Sequence, residues 1–216
     1  MTVLASFDDL LRARDDHAPD RARSPWRTLL LALVAGGVAY GLALGAYSGS
    51  FRHASYVALK IPLLIATSTA LALPAFLAVC AAAGLRDDLP LALRSIAHGQ
   101  ATLALVLGAL APVTAFLVLT GASYAQSVVQ AGAAFFAAAL CAQITLRRHD
   151  APLHARHPRY RDARLVFGVC HALVAIQLAW LLRPFVGEPG APVQFLRDDP
   201  FGNAFVAAFR AVIAAF

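Results

Sequence analysis

The sequence predicts an all-α integral membrane protein, a bundle of about five transmembrane helices with an amphipathic helix at each end. Of its 216 residues, 60% are hydrophobic and only 14% are charged, whereas soluble domains carry about 25% charged residues. Four long segments contain no charged residue, namely 28–51, 61–85, 95–146 and 165–182. About 20 apolar residues in helical form cross the ~30 Å hydrocarbon core of a bilayer, so these segments are long enough to span it.

The N-terminal segment, 1–27, is predicted to lie on the cytoplasmic face of the membrane. Five apolar residues recur there at helical spacing, namely Val3, Leu4, Phe7, Leu10 and Leu11. This pattern is typical of a short amphipathic helix on a membrane surface or on a partner. Asp8 and Asp9 occupy positions where a cleavable signal peptide has basic residues, so no such peptide is expected.

The first span is predicted at 28–48, within a five-span domain covering 28–182. Four glycines follow one another at every fourth position, namely Gly37, Gly41, Gly45 and Gly49. Such a stripe forms a smooth groove in which a second helix backbone can approach closely. The second helix could belong to the same chain, which we favour, or to another subunit.

The second span is predicted at 61–83, directly after Lys60, the only lysine of the chain. Pro62 would then lie in the first helical turn, where its missing N–H is not needed. Residues 51–59 would lie along the outer surface, and the Lys60 ammonium would reach the lipid headgroups as an anchor. Alternatively, a helix that begins before Tyr56 would place Lys60 inside the bilayer as a functional charge.

The longest uncharged segment has 52 residues, enough for two spans. We predict them at 101–119 and 124–146, joined by the small and polar residues of 120–127. Gln126 and Gln130 are four residues apart and therefore share a face of the fourth span. They could hydrogen-bond to a neighbouring helix or line a water-filled path.

The fifth span is predicted at 165–182 and is followed by an extracytoplasmic segment, 183–216. Trp180 and Arg183 mark its outer boundary, since such residues are enriched at membrane interfaces. The last apolar stretch, 203–216, would extend only ~21 Å as a helix. It is therefore predicted to lie in the outer interface as an amphipathic helix.

The positive charges predict the orientation of the spans. Thirteen of the 18 cations lie in the N-terminal segment and in two alternate loops, 84–100 and 147–164. Because cytoplasmic loops of membrane proteins are rich in Arg and Lys, the N-terminus is predicted to be cytoplasmic and the C-terminus extracytoplasmic. The preference for Arg and Ala indicates a GC-rich bacterial genome and hence the inner membrane. This placement of charge predicts lipid as the partner, not nucleic acid.

Candidate chemical groups are few. Cys80, Cys141, Cys170 and His171 are predicted at a similar depth and are weak candidates for a metal site. They lack the short ligand spacing of established metal motifs, so no metal or cofactor is expected. No carboxylate falls within a predicted span, and the sequence lacks the common catalytic motifs, so an enzyme is not expected.

Three motifs resemble those of a family of bacterial multi-pass inner-membrane proteins. They are K-x-P-L-L at Lys60 to Leu64, L-A-P at Leu110 to Pro112, and W-L-L-R-P-F-x-G at Trp180 to Gly187. The resemblance covers roughly 59–209. It implies an inner-membrane location and carries no activity or catalytic residue with it.

Two functional hypotheses follow. The first is a small oligomeric channel or permease, suggested by the glycine stripe and by polar residues such as Lys60, Gln126, Gln130 and Arg183. The second is a non-catalytic accessory or scaffold subunit of a larger membrane complex, suggested by the small size and by the absence of acidic residues from the predicted spans. The expected partners are accordingly further copies of the chain or other membrane subunits.

Overall fold

The computed structural model describes residues 26–187, 192–196 and Val206. Within them the chain forms α1 (Trp26–Gly45), α2 (Phe51–Ala82), α3 (Leu89–Leu119), α4 (Tyr124–Arg156) and α5 (Tyr160–Leu181), with a 3-10 turn at Ala46–Ser48. These five helices are each long and apolar enough to cross a membrane, which confirms the predicted fold class. The predicted amphipathic helices at 3–11 and 203–216 lie outside the described residues, apart from Val206.

The five helices form a curved row in the order α5, α2, α1, α3, α4. Helix α1 lies at the centre between α2 and α3, while α4 packs on α3 and α5 packs on α2. We refer to the two ends of the bundle by their tryptophans. The Trp180 end is where α1, α3 and α5 end and α2 and α4 begin, and the Trp26 end is opposite. This order makes α4 and α5 the two edges of the row.

The glycine stripe of α1 brings it against α2. A Cβ atom on Gly41 would lie 2.5 Å from the carbonyl oxygen of Val57. A Cβ on Gly37 would lie 3.1 Å from Pro62, and Gly45 is similarly close to α2. Three of the four glycines of the stripe therefore contact a helix of the same chain.

Two further glycines bring α1 against α3. A Cβ on Gly36 would collide with the carbonyl oxygen of Ala104, and a Cβ on Gly108 would lie 2.8 Å from the Cα of Gly36. Gly49 has a different role from the rest of the predicted stripe. It follows the 3-10 turn with φ 69°, and no atom lies within 4 Å of the position of its Cβ.

Helix α2 begins ten residues before the predicted second span, at Phe51. The Ser50 side chain caps this end by accepting a hydrogen bond from the His53 backbone N–H at 3.5 Å. Residues 51–59 are thus helical and continuous with the span. The predictions of a separate surface segment and of Pro62 in the first helical turn are both wrong.

The two loops that were predicted to be cytoplasmic are largely helical. Helix α3 already begins at Leu89, and α4 continues to Arg156, well beyond the predicted end of the fourth span. The connection between α4 and α5 is therefore reduced to residues 157–159. As a result, polar residues assigned to loops by sequence lie on rigid helices that face one another.

Candidate functional site

Lys60 is fully buried at the Trp180 end of the bundle. Its ammonium donates hydrogen bonds to the carbonyl oxygens of Pro184, at 2.9 Å, and Gln194, at 3.2 Å. The rings of Phe185 and Phe195 lie 5.9 and 5.4 Å from the same nitrogen, within the range of cation–π attraction. The ammonium therefore binds the segment that follows α5 and does not extend to the lipid headgroups.

A second contact ties the same segment to α2. The buried His53 Nε2 lies 3.3 Å from the carbonyl oxygen of Phe185. Gly187 packs so closely that a Cβ there would lie 2.8 Å from the same ring nitrogen. Residues 183–187 are thus held against the first turns of α2 at this end of the bundle.

A cavity of about 360 Å³ lies between α3 and α4 at the Trp180 end. We call it the polar cavity because half of its lining residues carry a hydroxyl or an amide group. Its lining consists of Leu44, Thr114, Leu117, Val118, Thr120, Gly121, Ala122, Gln126, Ser127 and Gln130. The two glutamines that sequence spacing placed on one face therefore do share one site.

Both glutamine side chains are partly used by the fold. Gln130 donates from Nε2 to Thr114 Oγ1 at 2.8 Å. Gln126 accepts the Ser123 backbone N–H through Oε1 at 2.8 Å, and the two residues form a capping box at the start of α4. Because an amide group has two N–H donors and a carbonyl acceptor, each side chain keeps hydrogen-bonding capacity beyond these contacts.

The polar cavity is closed towards the middle of the bundle by apolar side chains. Tyr40 and Phe135 meet edge to face with their ring centroids 5.8 Å apart. Tyr40, Leu107 and Ala138 are fully buried in the same cluster. The cavity therefore lies at one end of the molecule, next to a packed cluster of buried side chains.

Arg183 lines a second space at the Trp180 end, between the edge helices α4 and α5. We call it the lateral cleft. It has a volume of about 270 Å³ and is lined mainly by apolar residues, and Leu44 separates it from the polar cavity by lining both. Two of the four predicted interface or pore residues, Gln126 and Gln130, share the polar cavity. Arg183 lines the lateral cleft. Lys60 lies behind residues 184–186, which also line the cleft.

The sequence did not indicate the most extensive polar network, which lies at the Trp26 end. Asp150 is 2% exposed. Its Oδ1 accepts hydrogen bonds from the hydroxyls of Ser95, at 2.5 Å, and Tyr160, at 2.8 Å. Its Oδ2 accepts from Arg164 Nε at 2.7 Å. We call these four residues the Asp150 network. It links α3, α4 and α5.

An ion pair reinforces the same end. His157 Nε2 lies 2.7 Å from Asp88 Oδ2, and Arg156 lies 3.5 Å from the other oxygen. The short connection between α4 and α5 is thereby held against the start of α3. These polar contacts hold α3, α4 and α5 together at the Trp26 end. A smaller space of about 170 Å³ lies beside α1 in this half of the bundle, and its lining includes Trp26, Leu29 and Gln100.

The weak metal candidates are dispersed. Cys80 is buried in an apolar cluster that Cys170 borders, whereas Cys141 is exposed on α4. His171 Nε2 lies 3.2 Å from Ser68 Oγ. Among the residues that the structure describes, no three His, Cys, Asp or Glu side chains converge in a way that could hold a metal ion.

No protein-family model matches the chain, and no curated protein or solved structure matches it either.

Proposed function

We propose that this multi-pass protein is a permease-like component of the bacterial inner membrane that binds a small, uncharged polar solute in the polar cavity. The observation that supports this proposal is the shared position of Gln126 and Gln130 in a space of about 360 Å³. Gln130 bonds to the neighbouring helix α3, as polar side chains in a bundle usually do, but a cavity lies beside this contact. A volume of this size lies in the range typical of small-molecule sites.

The chemistry of the lining supports a neutral ligand. Thr114, Thr120, Ser127 and the two glutamines contribute only neutral donors and acceptors, and the lining contains no ionisable side chain. A charged solute would lose its hydration without gaining an opposite charge, which is unfavourable within a membrane. Hydroxyl and amide groups of a solute, in contrast, would find matching partners.

The packed cluster of Tyr40, Leu107 and Ala138 supports a permease-like mechanism rather than a channel, because it separates the polar cavity from the far half of the bundle. A site that lies at one end and is separated from the other by packed side chains corresponds to one state of an alternating-access cycle. The channel hypothesis depended on contact between subunits through the glycine stripe. Gly37, Gly41 and Gly45 contact α2 of the same chain instead, so they no longer support an oligomeric channel.

The accessory-subunit hypothesis has one supporting feature. Helix α5 packs on α2 and exposes a continuous apolar stripe along its other side. The stripe consists of Leu165, Val169, Leu173 and Ile176. A helix of a partner protein could pack there, although lipid chains would cover the same surface.

The experiment that tests the proposal is thermal unfolding of the purified protein in detergent with a panel of polyols, sugars and small amides. A ligand present at 100 times its dissociation constant stabilises the folded state by about 2.7 kcal/mol. We expect at least one solute class to raise the unfolding temperature, and the same solute to cross liposomes containing the protein. Gln130→Leu should abolish both effects, whereas Gln143→Leu, an exposed site on the same helix, should leave them unchanged.

Two outcomes contradict the proposal. The first is an equal response of the Gln130→Leu and Gln143→Leu proteins to every stabilising solute. The second is isolation of the protein only in a complex with unrelated membrane subunits and without flux, which would favour the accessory function.

A further inference from the structure

The lateral cleft opens between the two edge helices, on the side of the molecule that faces lipid. Helices α4 and α5 are joined at the Trp26 end by residues 157–159 and by the Asp150 network. At the Trp180 end the cleft lies between them. A groove between two helices that are long enough to span a membrane is accessible to lipid acyl chains.

The wall of the cleft on α4 is a single apolar face. It is formed by Tyr124, Val128, Ala131, Gly132 and Phe135, which recur at helical spacing. From the first to the last of these residues the face extends about 16 Å along the helix axis. Half of the ~30 Å hydrocarbon core is about 15 Å, so the length of the wall matches one leaflet.

The rim of the cleft carries groups typical of the headgroup region. Tyr124 begins α4 on one side, and Trp180 and Arg183 end α5 on the other. The exposed guanidinium of Arg183 lies 5.2 Å from the centre of the Trp180 ring. Arg183 is the one charged residue in the lining, so an apolar groove of leaflet depth has a single positive group at its mouth.

We propose that the lateral cleft binds one acyl chain of an anionic phospholipid, with the lipid phosphate against the Arg183 guanidinium. A guanidinium group matches the geometry of a phosphate and forms paired hydrogen bonds with it. The volume of about 270 Å³ lies just below the range usual for whole drug-sized ligands, which fits a single chain whose headgroup remains outside. The site shares only Leu44 with the polar cavity, and it does not depend on the solute-binding function.

Gly132 keeps the cleft open. It is exposed on the apolar face of α4, and no atom lies within 4 Å of the position of its Cβ. A larger side chain at residue 132 would therefore occupy the cleft without displacing other parts of the protein. Gly168 on α5 has equally open surroundings but does not line the cleft, which makes it a matched control.

The test uses the full chain with Trp26→Phe, so that Trp180 is the only tryptophan. The protein is placed in vesicles of one fixed mixture of phosphatidylcholine and phosphatidylglycerol. Bromine atoms, which quench tryptophan fluorescence, are carried on the acyl chains of one lipid or of the other. Since a basic residue near an anionic membrane surface contributes about 1 kcal/mol, we expect about fivefold enrichment of phosphatidylglycerol next to Trp180.

Four variants distinguish lipid that is bound in the cleft from lipid that is attracted to the positive charge at the membrane surface. Arg183→Gln should remove the enrichment, and Arg183→Lys should retain most of it. Gly132→Leu should also remove it although the charge is kept, whereas Gly168→Leu should leave it unchanged. Gly132→Leu should not alter stabilisation by solutes in the polar cavity, so the two proposals can fail independently.

Three results overturn the proposal. Equal quenching by the two brominated lipids in the protein that carries only Trp26→Phe would exclude a preference for the anionic lipid. Enrichment that persists in Gly132→Leu would assign it to the membrane surface near Arg183. Weak quenching by both lipids would mean that protein covers the cleft, either a second copy of this chain or a partner helix.

Discussion

Lys60 shows at the scale of one residue how a buried cation is accommodated in a bundle of apolar helices. Its position in the sequence allowed an interfacial anchor or a buried functional charge. The structure buries it, but as a structural group that binds the carbonyl oxygens of Pro184 and Gln194. The partners could not be predicted, because backbone carbonyls are present in every segment and leave no mark in the sequence.

Replacement of Lys60 should release the segment after α5. Lys60→Met keeps a long side chain but removes both donated hydrogen bonds, and such bonds to charged groups contribute about 1.5–3 kcal/mol each. We expect hydrogen exchange of the backbone amides in residues 185–187 and 193–196 to become faster. Arg52→Met, which removes an exposed cation of the same helix, should leave these exchange rates unchanged. Equal exchange rates in the two variants would contradict the structural role of Lys60.

Asp150 is the clearest failure of prediction at this scale. The sequence placed it in a hydrated loop, because residues around it include several Arg and His side chains. That segment is instead helical, and its carboxylate lies among Ser95, Tyr160 and Arg164. Arg and Ala are good helix formers, so a charged composition alone does not end a helix.

Removal of the Asp150 carboxylate should strongly destabilise the protein. Asp150→Ala leaves the largely buried Arg164 guanidinium without its partner, and breaking a buried ion pair in this way costs about 3–5 kcal/mol. We expect a marked decrease in the thermal unfolding midpoint in detergent. Asp87→Ala, at an exposed position in the turn before α3, serves as the control and should change the midpoint little. Similar midpoints for the two variants would show that the network contributes nothing to stability.

At the scale of elements, the ends of the helices follow local signals more closely than hydropathy. Ser123 and Gln126 form a capping box, and α4 begins at the predicted residue. Gly84 and Gly121 have positive φ angles and end α2 and α3. The far end of α4 lies ten residues beyond the predicted end of the span, because charged residues such as Arg147 and Arg148 do not end a helix.

The glycines of α1 give a sharp contrast between two alanine substitutions. Gly41→Ala places a methyl group 2.5 Å from a carbonyl oxygen of α2, so the two helices must separate. Overpacking of this kind typically costs about 1–3 kcal/mol. Gly168→Ala meets no atom within 4 Å, and it should leave the stability unchanged or increase it through the higher helix propensity of alanine. Thermal unfolding of the two variants side by side tests the contrast, and a stable Gly41→Ala protein would contradict this packing.

At the scale of the whole molecule, the number of membrane-length helices in the described part of the chain was predictable, and their order was not. Long uncharged segments indicate spans directly, because the bilayer sets their length. The contact between α1 and α3 depends on Gly36 and Gly108, which are ordinary small residues in apolar sequence. The spacing of the two glutamines predicted that they share one face of α4. The opposing wall of the polar cavity is on α3, and it could not be predicted because it depends on the order of the helices.

The orientation predicted from the cations can be tested on the folded bundle. In a protein with Cys80, Cys141 and Cys170 replaced by alanine, a single cysteine is introduced as Ala122→Cys or Asp87→Cys. The two positions lie in turns at opposite ends of α3. We expect a membrane-impermeant maleimide to label Ala122→Cys in intact cells with a permeable outer membrane, and to label Asp87→Cys only after lysis. The reverse pattern would invert the orientation.

The contacts of Lys60 have a consequence for the order of events during biosynthesis. Pro184 follows Lys60 by 124 residues and Gln194 by 134. At about 5–20 residues per second, roughly 6–25 s pass between synthesis of the lysine and synthesis of its first partner. During this time α2 lacks the contacts that hold Lys60 in the folded protein. A lysine at the centre of a span costs about 2.5–3.5 kcal/mol, but Lys60 is the tenth of the 32 residues of α2 and lies nearer its end, so its cost is smaller. The lysine therefore reaches its final partners only after the fifth helix has been translated.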